Sequence, residues 1–198
     1  MDDEAALRAA CESGRFDEAT TLSLERYGPE ILGLLAARLR SDGDAAEAFS
    51  MFAEDLWRGL PGFAWRCTLR AWAHRVARNA ANRFAIAGAR RAALAQPVPG
   101  EAIEAVAARI KTTTLVYLKS EVKSEIRRLR DELPPEDQLV LVLRVDKDME
   151  WREVAQALAD EDLDEAALVR EAARLRKRLQ LATTRLRELA TERGLLSR

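Results

Sequence analysis

Apolar residues recur at intervals of three and four positions along almost the whole chain. In the stretch LRAWAHRVARNAANRF, residues 69–84, this spacing would place a tryptophan and a row of small apolar side chains on one side of a helix. No segment sustains the alternation of apolar and polar residues that predicts a half-buried strand. The sequence therefore predicts an all-α protein.

Proline and glycine mark the predicted ends of helices. Pro29 is well placed to start a helix over 29–40, and LPGF at 60–63 is a predicted break. QPVPG at 96–100 is the clearest linker, and PPED at 134–137 separates two further helices. A chain of 198 residues is long enough for one large domain or two small ones.

Two helical domains joined by a linker account for these boundaries. The predicted divisions are a helical bundle with an N-terminal helical extension at 1–92, a linker at 93–113, and a second helical domain at 114–198. This division gives each domain one of the two basic segments in the chain.

Charge is segregated along a chain that is nearly neutral overall. The 32 lysine and arginine residues are balanced by 33 acidic residues, which gives a formal net charge of −1. Yet residues 56–100 contain arginines and no acid, and residues 172–187 are likewise basic and free of acids. Solvated helix faces would explain one such block, whereas two blocks favour contact with nucleic acid.

The first basic block has a polar helix face opposite its apolar stripe. Arginine and asparagine on such a face can bind phosphates and also hydrogen-bond to base edges. Aromatic residues lie beside arginines just upstream, and a single-stranded nucleic-acid site uses this combination to stack bases and follow the backbone. The residues of the polar face are Arg75, Arg78, Asn79 and Asn82, and the upstream residues are Phe63, Trp65, Arg66 and Arg70.

The second basic block follows a short amphipathic segment, DMEWREVAQALA at 148–159. Apolar residues then step by four and three from Leu168 to Leu189, and basic residues occupy another face of the same predicted helix. A pair of helices with the basic one second is the order of a helix-turn-helix, whose second helix enters the major groove of duplex DNA. The heptad-like apolar stripe would also permit dimerisation through this helix.

The sequence lacks the residue patterns that several classes of function require. We find no nucleophile–base pair, glycine-rich phosphate loop or ligand cluster, which predicts a protein that is not an enzyme and takes no cofactor or small-molecule substrate. Cys11, Cys67 and His74 are spaced too far apart for a zinc site, which predicts no metal and reduced thiols. The acidic N-terminal stretch lacks a signal core and no apolar run approaches a membrane span, so a cytoplasmic location without membrane contact is expected.

Two parts of the chain resemble bacterial extracytoplasmic-function (ECF) sigma factors, which belong to the sigma-70 family. Region two of the family is similar to AARLRSDGDAAEAFSMFAEDLWRGLPGFAWRCTLRAWAHRVARN at 36–79, where LRAWAHRVARN matches the family pattern almost position by position. Region four is similar to ELPPEDQLVLVLRVDKDMEWREVAQALA at 132–159, and its recognition helix is similar to RLRKRLQLATTRLRELA at 174–190. In all, the resemblance covers roughly 29–92 and 132–190.

This resemblance implies a sigma factor that binds core RNA polymerase and directs it to promoter DNA. Region two would dock on polymerase through acidic residues, here Asp44, Glu47, Glu54 and Asp55. It would melt the minus-ten element and hold the unpaired strand through Trp65, Arg66, Arg70, Trp72, Arg75, Arg78, Asn79, Asn82 and Arg83. Region four would read the minus-thirty-five duplex through Arg174, Arg176, Lys177, Arg178, Thr184 and Arg185. The sequence does not decide whether an anti-sigma factor is a further partner.

The chain departs from the family pattern within the helix-turn-helix. An insertion, DEDLDEAALVREAA at 160–173, lengthens the connection, and its apolar residues continue the stripe of the next helix. We therefore predict one continuous helix from about Asp164 to about Ala190, capped by Asp162 or Asp164. The acids of the insertion have two interpretations: first-turn residues favoured by the helix dipole, or a mask over Arg174–Arg178.

Two other function classes are compatible with the sequence. One is a dimeric helix-turn-helix regulator that binds DNA and never contacts polymerase. The other is a helical interaction protein whose basic faces bind acidic proteins. Binding to core polymerase separates the sigma factor from the first class, and steep salt dependence of DNA binding separates it from the second.

Overall fold

The computed structural model describes residues 2–87, 100–120 and 125–196, and for a few residues at the ends of these segments it describes the backbone only. Within these segments every regular element is helical, which confirms the predicted all-α class. The chain divides into two compact units, Met1–Leu118 and Lys119–Arg198. The first unit thus extends beyond the boundary at residue 92 that the sequence suggested.

The first unit is built around a core that several helices share. Helices α2, α3 and α4 pack against one another, and α1 packs on α2. A 3₁₀ turn at Leu60–Gly62 and an irregular connection join α3 to α4. The helices described in this unit are α1 (Asp2–Glu12), α2 (Phe16–Leu39), α3 (Asp42–Gly59), α4 (Leu69–Ala87) and α5 (Glu101–Ser120).

The prediction that a helix begins at Pro29 is wrong, because α2 runs through this proline from Phe16 to Leu39. A proline inside a helix costs about 3 kcal/mol, since it removes one hydrogen bond and crowds the preceding turn. Close by, Ile31 and Leu32 are fully buried, and complete burial of each such side chain is worth about 1.5–3 kcal/mol. Packing of α2 in the core therefore outweighs the local cost of the proline.

A tight turn determines how α3 follows α2. Arg40 adopts left-handed backbone geometry, with φ of 55°, and its N–H donates to the carbonyl of Ala36 at 3.0 Å. Ser41 then caps α3, and its hydroxyl accepts a hydrogen bond from the N–H of Asp44 at 3.2 Å. The connection between α2 and α3 is therefore short, and the two helices pack directly against each other.

Helix α5 occupies much of the segment that the sequence assigned to the linker at 93–113. Its side chains Ile103, Ala107 and Ile110 are buried in the core of the first unit. Gly28 of α2 makes room for this packing, because a Cβ atom there would lie only 2.7 Å from Cδ1 of Ile110. The described part of the predicted linker is therefore structural, whereas residues 93–99 lie outside the described residues.

In the second unit, one long helix packs against several short ones. Its helices are α6 (Glu125–Asp131), α7 (Pro135–Leu141), α8 (Trp151–Leu158) and α9 (Glu165–Glu192). A π-helical turn at Val142–Asp146 extends α7. Helix α9 contacts α6, α7 and α8, and its buried stripe consists of Leu168, Ala172, Leu175, Ala182 and Leu189.

The prediction of one continuous helix through the insertion is confirmed. Helix α9 starts at Glu165, and Asp164 is its N-cap, with the carboxylate accepting a hydrogen bond from the N–H of Ala167 at 2.7 Å. Of the two aspartates considered from the sequence, the second is therefore the cap. The apolar residues of the insertion continue the buried stripe, as their spacing indicated.

We expect Asp164→Ala to destabilise the second unit by about 1 kcal/mol, since the cap satisfies an amide that the helix cannot bond internally. Asp162→Ala is the matched control, because Asp162 is an exposed aspartate of the same connection but does not cap the helix. Urea unfolding followed by circular dichroism measures both variants. Equal loss of stability in the two variants would contradict the assigned cap.

Candidate nucleic-acid interface

A row of aromatic rings lies where the chain enters α4. The centroid of Phe63 is 4.9 Å from that of Trp65 and 4.8 Å from that of Trp72. All of these rings are half-buried and pack on the core of the first unit. Trp65 has a left-handed backbone, with φ of 55°, and this conformation costs an L-residue roughly 1 kcal/mol. We call Phe63, Trp65 and Trp72 the aromatic row.

The guanidinium of Arg8, on α1, lies over the outer end of this row, 5.2 Å from the centroid of the Trp65 ring. Sequence reasoning missed Arg8 as a site residue. No local pattern marks it, because only the packing of α1 on α2 brings it next to a tryptophan far along the chain. Arg66, which the sequence did predict, directly follows Trp65 in the chain and is exposed.

The predicted polar face of α4 is only partly at the surface. Arg75 is 8% exposed and thus buried, so its assignment to the solvent face is wrong. Arg78 and Asn79 are half-buried. Asn82 accepts a hydrogen bond from Nη2 of Arg38 at 2.5 Å. Helix α4 packs against both α2 and α3, so more of its circumference is covered than a single apolar stripe would predict.

Arg70 belongs to an internal charge cluster. Its Nε and Nη2 atoms each donate to the carboxylate of Glu30 at 3.1 Å. Nε2 of the buried His74 lies 2.6 Å from the same carboxylate. Burial raises the pKa of Glu30, but the hydrogen bond with His74 and the charges of His74 and Arg70 outweigh it, so the pKa is lowered overall. We call Glu30, Arg70 and His74 the buried charge cluster; it connects α2 to α4.

Two predicted sites share an ion pair. Arg83, predicted to bind DNA, donates to the carboxylate of Asp55, predicted to bind polymerase. Glu54 pairs with Arg58 at 2.7 Å. Asp44 is half-buried next to the start of α3, whereas Glu47 is exposed. The acidic side of α3 is thus at the surface, and Glu47 is its most accessible predicted residue.

Most of the predicted duplex-reading arginines on α9 have acidic neighbours. Arg174 binds Glu171, with Nη2 to Oε1 at 2.6 Å, and Arg185 binds Glu188 at 3.2 Å. Arg178 is half-buried and binds Asp137 and Glu136, both in the first turn of α7. Arg176, Lys177 and Thr184 are exposed, and the Arg176 guanidinium lies 5.4 Å from the centroid of Trp151.

The geometry of the helix pair differs from a compact helix-turn-helix. Helices α8 and α9 are joined by Ala159–Asp164. Because α9 already begins at Glu165, Arg174 lies roughly two and a half turns into it, whereas helix-turn-helix proteins read bases mainly from the start of the second helix. The exposed basic surface of this unit therefore lies at the middle of α9.

Two acids of the insertion, Asp164 and Glu165, bind partners other than the arginines that a mask would cover. Asp164 is used as the cap, and Glu165 binds Arg152 on α8, with Nη1 to Oε1 at 2.8 Å. The carboxylate that binds Arg174 is that of Glu171, which lies near the end of the insertion, and those that bind Arg178 come from α7. For Asp164 and Glu165, the interpretation as structural residues of the first helical turn is the one that the contacts support.

The heptad stripe that suggested dimerisation faces the interior of the second unit. Leu168 is 7% exposed and Leu175 is 1% exposed. Both are therefore committed to packing within one chain. The observation that favoured the dimeric regulator no longer supports it.

The described parts of the chain contain neither a metal-binding cluster nor a membrane-spanning helix. Across residues 2–87, 100–120 and 125–196, no group of three or more His, Cys, Asp or Glu side chains is arranged to hold a metal ion. No helix in these segments is both long and apolar enough to span a membrane.

Gly59 provides a test of the packing beneath the aromatic row. A Cβ atom at Gly59 would lie 2.8 Å from Cζ2 and 3.1 Å from Cη2 of Trp72. We expect Gly59→Ala to destabilise the unit by about 1–3 kcal/mol, because the rigid indole cannot move without disturbing Phe63. Gly33→Ala is the control, since a Cβ there meets nothing within 4 Å, and we expect it to stabilise α2 by about 0.5–1 kcal/mol. Thermal unfolding showing the same sign for both would contradict this packing.

The chain matches no protein-family model, no curated protein and no solved structure.

Proposed function

We propose that this protein is a sigma factor of the ECF type, which binds core RNA polymerase and directs it to promoter DNA. The motif resemblance of both halves, in the family's order, supports the proposal. The observation that carries it is the aromatic row, in which the half-buried Trp65 ring has the Arg8 guanidinium over it and is followed in the sequence by the exposed Arg66. Flat rings next to cations are what an unpaired strand requires.

In this proposal the first unit holds the melted minus-ten strand at the aromatic row. Taking a base out of a duplex costs a few kcal/mol, and stacking on an aromatic side chain returns about 1–3 kcal/mol per base. Phe63 packs against both Trp65 and Trp72. The exposed Arg66, which follows Trp65 in the sequence, would bind the strand's phosphates. Arg70, Arg75 and Arg83 act through the fold, since their contacts or burial hold α4 in place.

The second unit reads the minus-thirty-five duplex with the middle of α9. Arg176, Lys177 and Thr184 are the exposed residues available for this role. Arg174 and Arg185 can join them, because exposed ion pairs are worth only about 0–1 kcal/mol and exchange easily for phosphate contacts. The half-buried Arg178 keeps its ion pairs with the two carboxylates of α7 and does not contact DNA in this proposal.

Polymerase supplies the chemistry in this proposal, and the chain itself is neither an enzyme nor a cofactor-binding protein. The acidic side of α3 is the proposed docking surface, with Asp44 and Glu47 at its centre and Glu54 and Asp55 beyond them. Its carboxylates would complement a basic surface on the polymerase and speed association.

Co-purification with core polymerase tests the docking surface. We expect the wild-type chain to co-elute with core enzyme and Glu47→Lys to weaken this binding at least tenfold, since it places a like charge in the interface. Glu18→Lys is the control, because Glu18 is also a glutamate on the surface of this unit but lies on α2. If the wild-type chain fails to bind active core enzyme, the proposed function is wrong. If both lysine variants bind equally well, the docking surface lies elsewhere.

A further inference from the structure

We infer that the outer face of the Trp65 ring receives one unpaired nucleobase, and that Arg8 of α1 uncovers this face and then binds the adjoining phosphate. The inference rests on the proposed function in so far as the strand is promoter DNA. It adds a residue from a helix that the motif resemblance does not cover.

The geometry places Arg8 where a base would stack. The Trp65 ring packs against Phe63, at 4.9 Å between centroids, and the Arg8 guanidinium lies over the ring at 5.2 Å. A guanidinium is planar and stacks on aromatic faces, as a nucleobase does. The side chain of Arg8 is 59% exposed, so it can leave the ring without crossing the protein interior.

The energies favour exchange of Arg8 for a base. An exposed cation–π contact is worth about 0.5–1 kcal/mol, whereas base stacking on an aromatic side chain is worth about 1–3 kcal/mol. The only ion pair described for Arg8 is with Glu12, at 3.0 Å, and both side chains are largely exposed. Such a pair contributes about 0–1 kcal/mol. A strand that offers a base and a phosphate together therefore competes well with both contacts.

Arg8 is not needed to hold α1 in place. Leu7 and Ala10 of the same helix are fully buried, at 1% and 0% exposure, and they anchor α1 to the core. Replacing Arg8 should therefore leave the fold intact, so that any loss of strand binding can be assigned to the side chain itself.

The test measures binding of a short fluorescein-labelled single-stranded DNA of mixed sequence, roughly 12 nucleotides long to suit one such site. Fluorescence anisotropy with the full chain is recorded across a salt titration. We expect Arg8→Ala to weaken binding about three- to tenfold at low salt and to lower the log–log salt slope by about 0.7, the value for one phosphate on a single strand. Arg8→Lys should keep the slope, since lysine also binds phosphate.

Arg15→Ala is the matched control, because Arg15 is similarly exposed and binds a glutamate three residues away. We expect its affinity and salt slope to equal those of the wild type. Trp65→Ala should weaken binding at least fivefold, and the melting temperature of Arg8→Ala should match that of the control.

Several results would overturn the inference. These are no binding of the oligonucleotide by the wild-type chain, equal affinities and slopes for the two arginine variants, or tighter binding by Arg8→Ala, which would mean that Arg8 only blocks the ring. A lowered melting temperature with an unchanged salt slope would likewise show a structural role alone. Polymerase binding is measured separately, so the proposed function can survive the loss of this inference and can also fail while strand binding stands.

Discussion

Replacing Glu30 with alanine is expected to destabilise the first unit by about 3 kcal/mol, the lower end of the effect of removing one partner from a buried ion pair, because Glu30 and Arg70 are only partly buried. The Glu30 side chain is 18% exposed, and it lies between Arg70, at 24%, and His74, at 1%. Without this carboxylate, the charge of Arg70 and the imidazole of His74 lose their shared acceptor in a poorly hydrated place. Because the cluster connects α2 to α4, its loss would also weaken the packing of α4.

Glu25→Ala is the matched control for this prediction. Glu25 lies on the same helix and binds Arg109 at 2.8 Å, but the two side chains are 44% and 61% exposed. We expect Glu25→Ala to change stability by less than about 1 kcal/mol. Urea unfolding measures both variants, and similar losses of stability would contradict the structural role assigned to the buried charge cluster.

The cluster also predicts how acid affects the first unit. Because the pKa of Glu30 is lowered in the folded protein, its contribution to stability is fully present above the unfolded value, about 4.3. That contribution is lost as the pH falls below this value and through the lower folded pKa. Glu30→Gln should therefore show a shallower loss of unfolding free energy between about pH 5 and pH 2 than Glu25→Gln. Equal slopes for these two variants would rule out the cluster as a source of acid sensitivity.

Replacing Leu175 with alanine is expected to destabilise the second unit by about 2–5 kcal/mol, as for other buried leucines. Leu175 is 1% exposed and lies at the centre of α9, the helix against which α6, α7 and α8 pack. Amide hydrogen exchange should then quicken throughout α7, α8 and α9. Leu181→Ala on the same helix is the control, since Leu181 is 63% exposed.

This pair of variants also separates a packed monomer from a dimer joined through α9. If the stripe packs within one chain, the effect of Leu175→Ala should not depend on protein concentration. If the stripe instead joined two chains, the loss of stability would grow on dilution, because dimer stability depends on protomer concentration. Light scattering of the wild-type chain is expected to give the mass of a monomer.

Helical periodicity was sufficient to predict the fold class and the long helix α9. In a helix, side chains three and four residues apart share a face, and this does not depend on distant parts of the chain. The apolar spacing from Leu168 to Leu189 was therefore enough to predict one helix. The cap depends on residues only three positions apart, so the sequence limited it to Asp162 or Asp164, and the structure identifies Asp164. The start of α2 was mispredicted since burial of Ile31 and Leu32 outweighs the local preference of Pro29.

The candidate site was less predictable because it depends on contacts between distant parts of the chain. The sequence indicated Phe63, Trp65 and Trp72 as site residues, but it could not show that their rings pack together, that Arg75 is buried or that Arg70 binds Glu30. Arg8 could not have been found from the sequence, since its position over Trp65 depends on how α1 packs. Helix α5 was missed for a related reason. The prolines before it indicated a linker, whereas its packing depends on a distant residue, Gly28 on α2.

Transcription by purified core polymerase on a library of genomic DNA fragments tests the central proposal most directly. The wild-type chain is expected to produce start sites that are absent with core enzyme alone, and these sites should share sequence elements near minus-ten and minus-thirty-five. Core enzyme with a known sigma factor serves as the positive control for polymerase activity. If that control initiates while addition of this chain produces no new start site, the protein is not a sigma factor for that polymerase and the account is wrong.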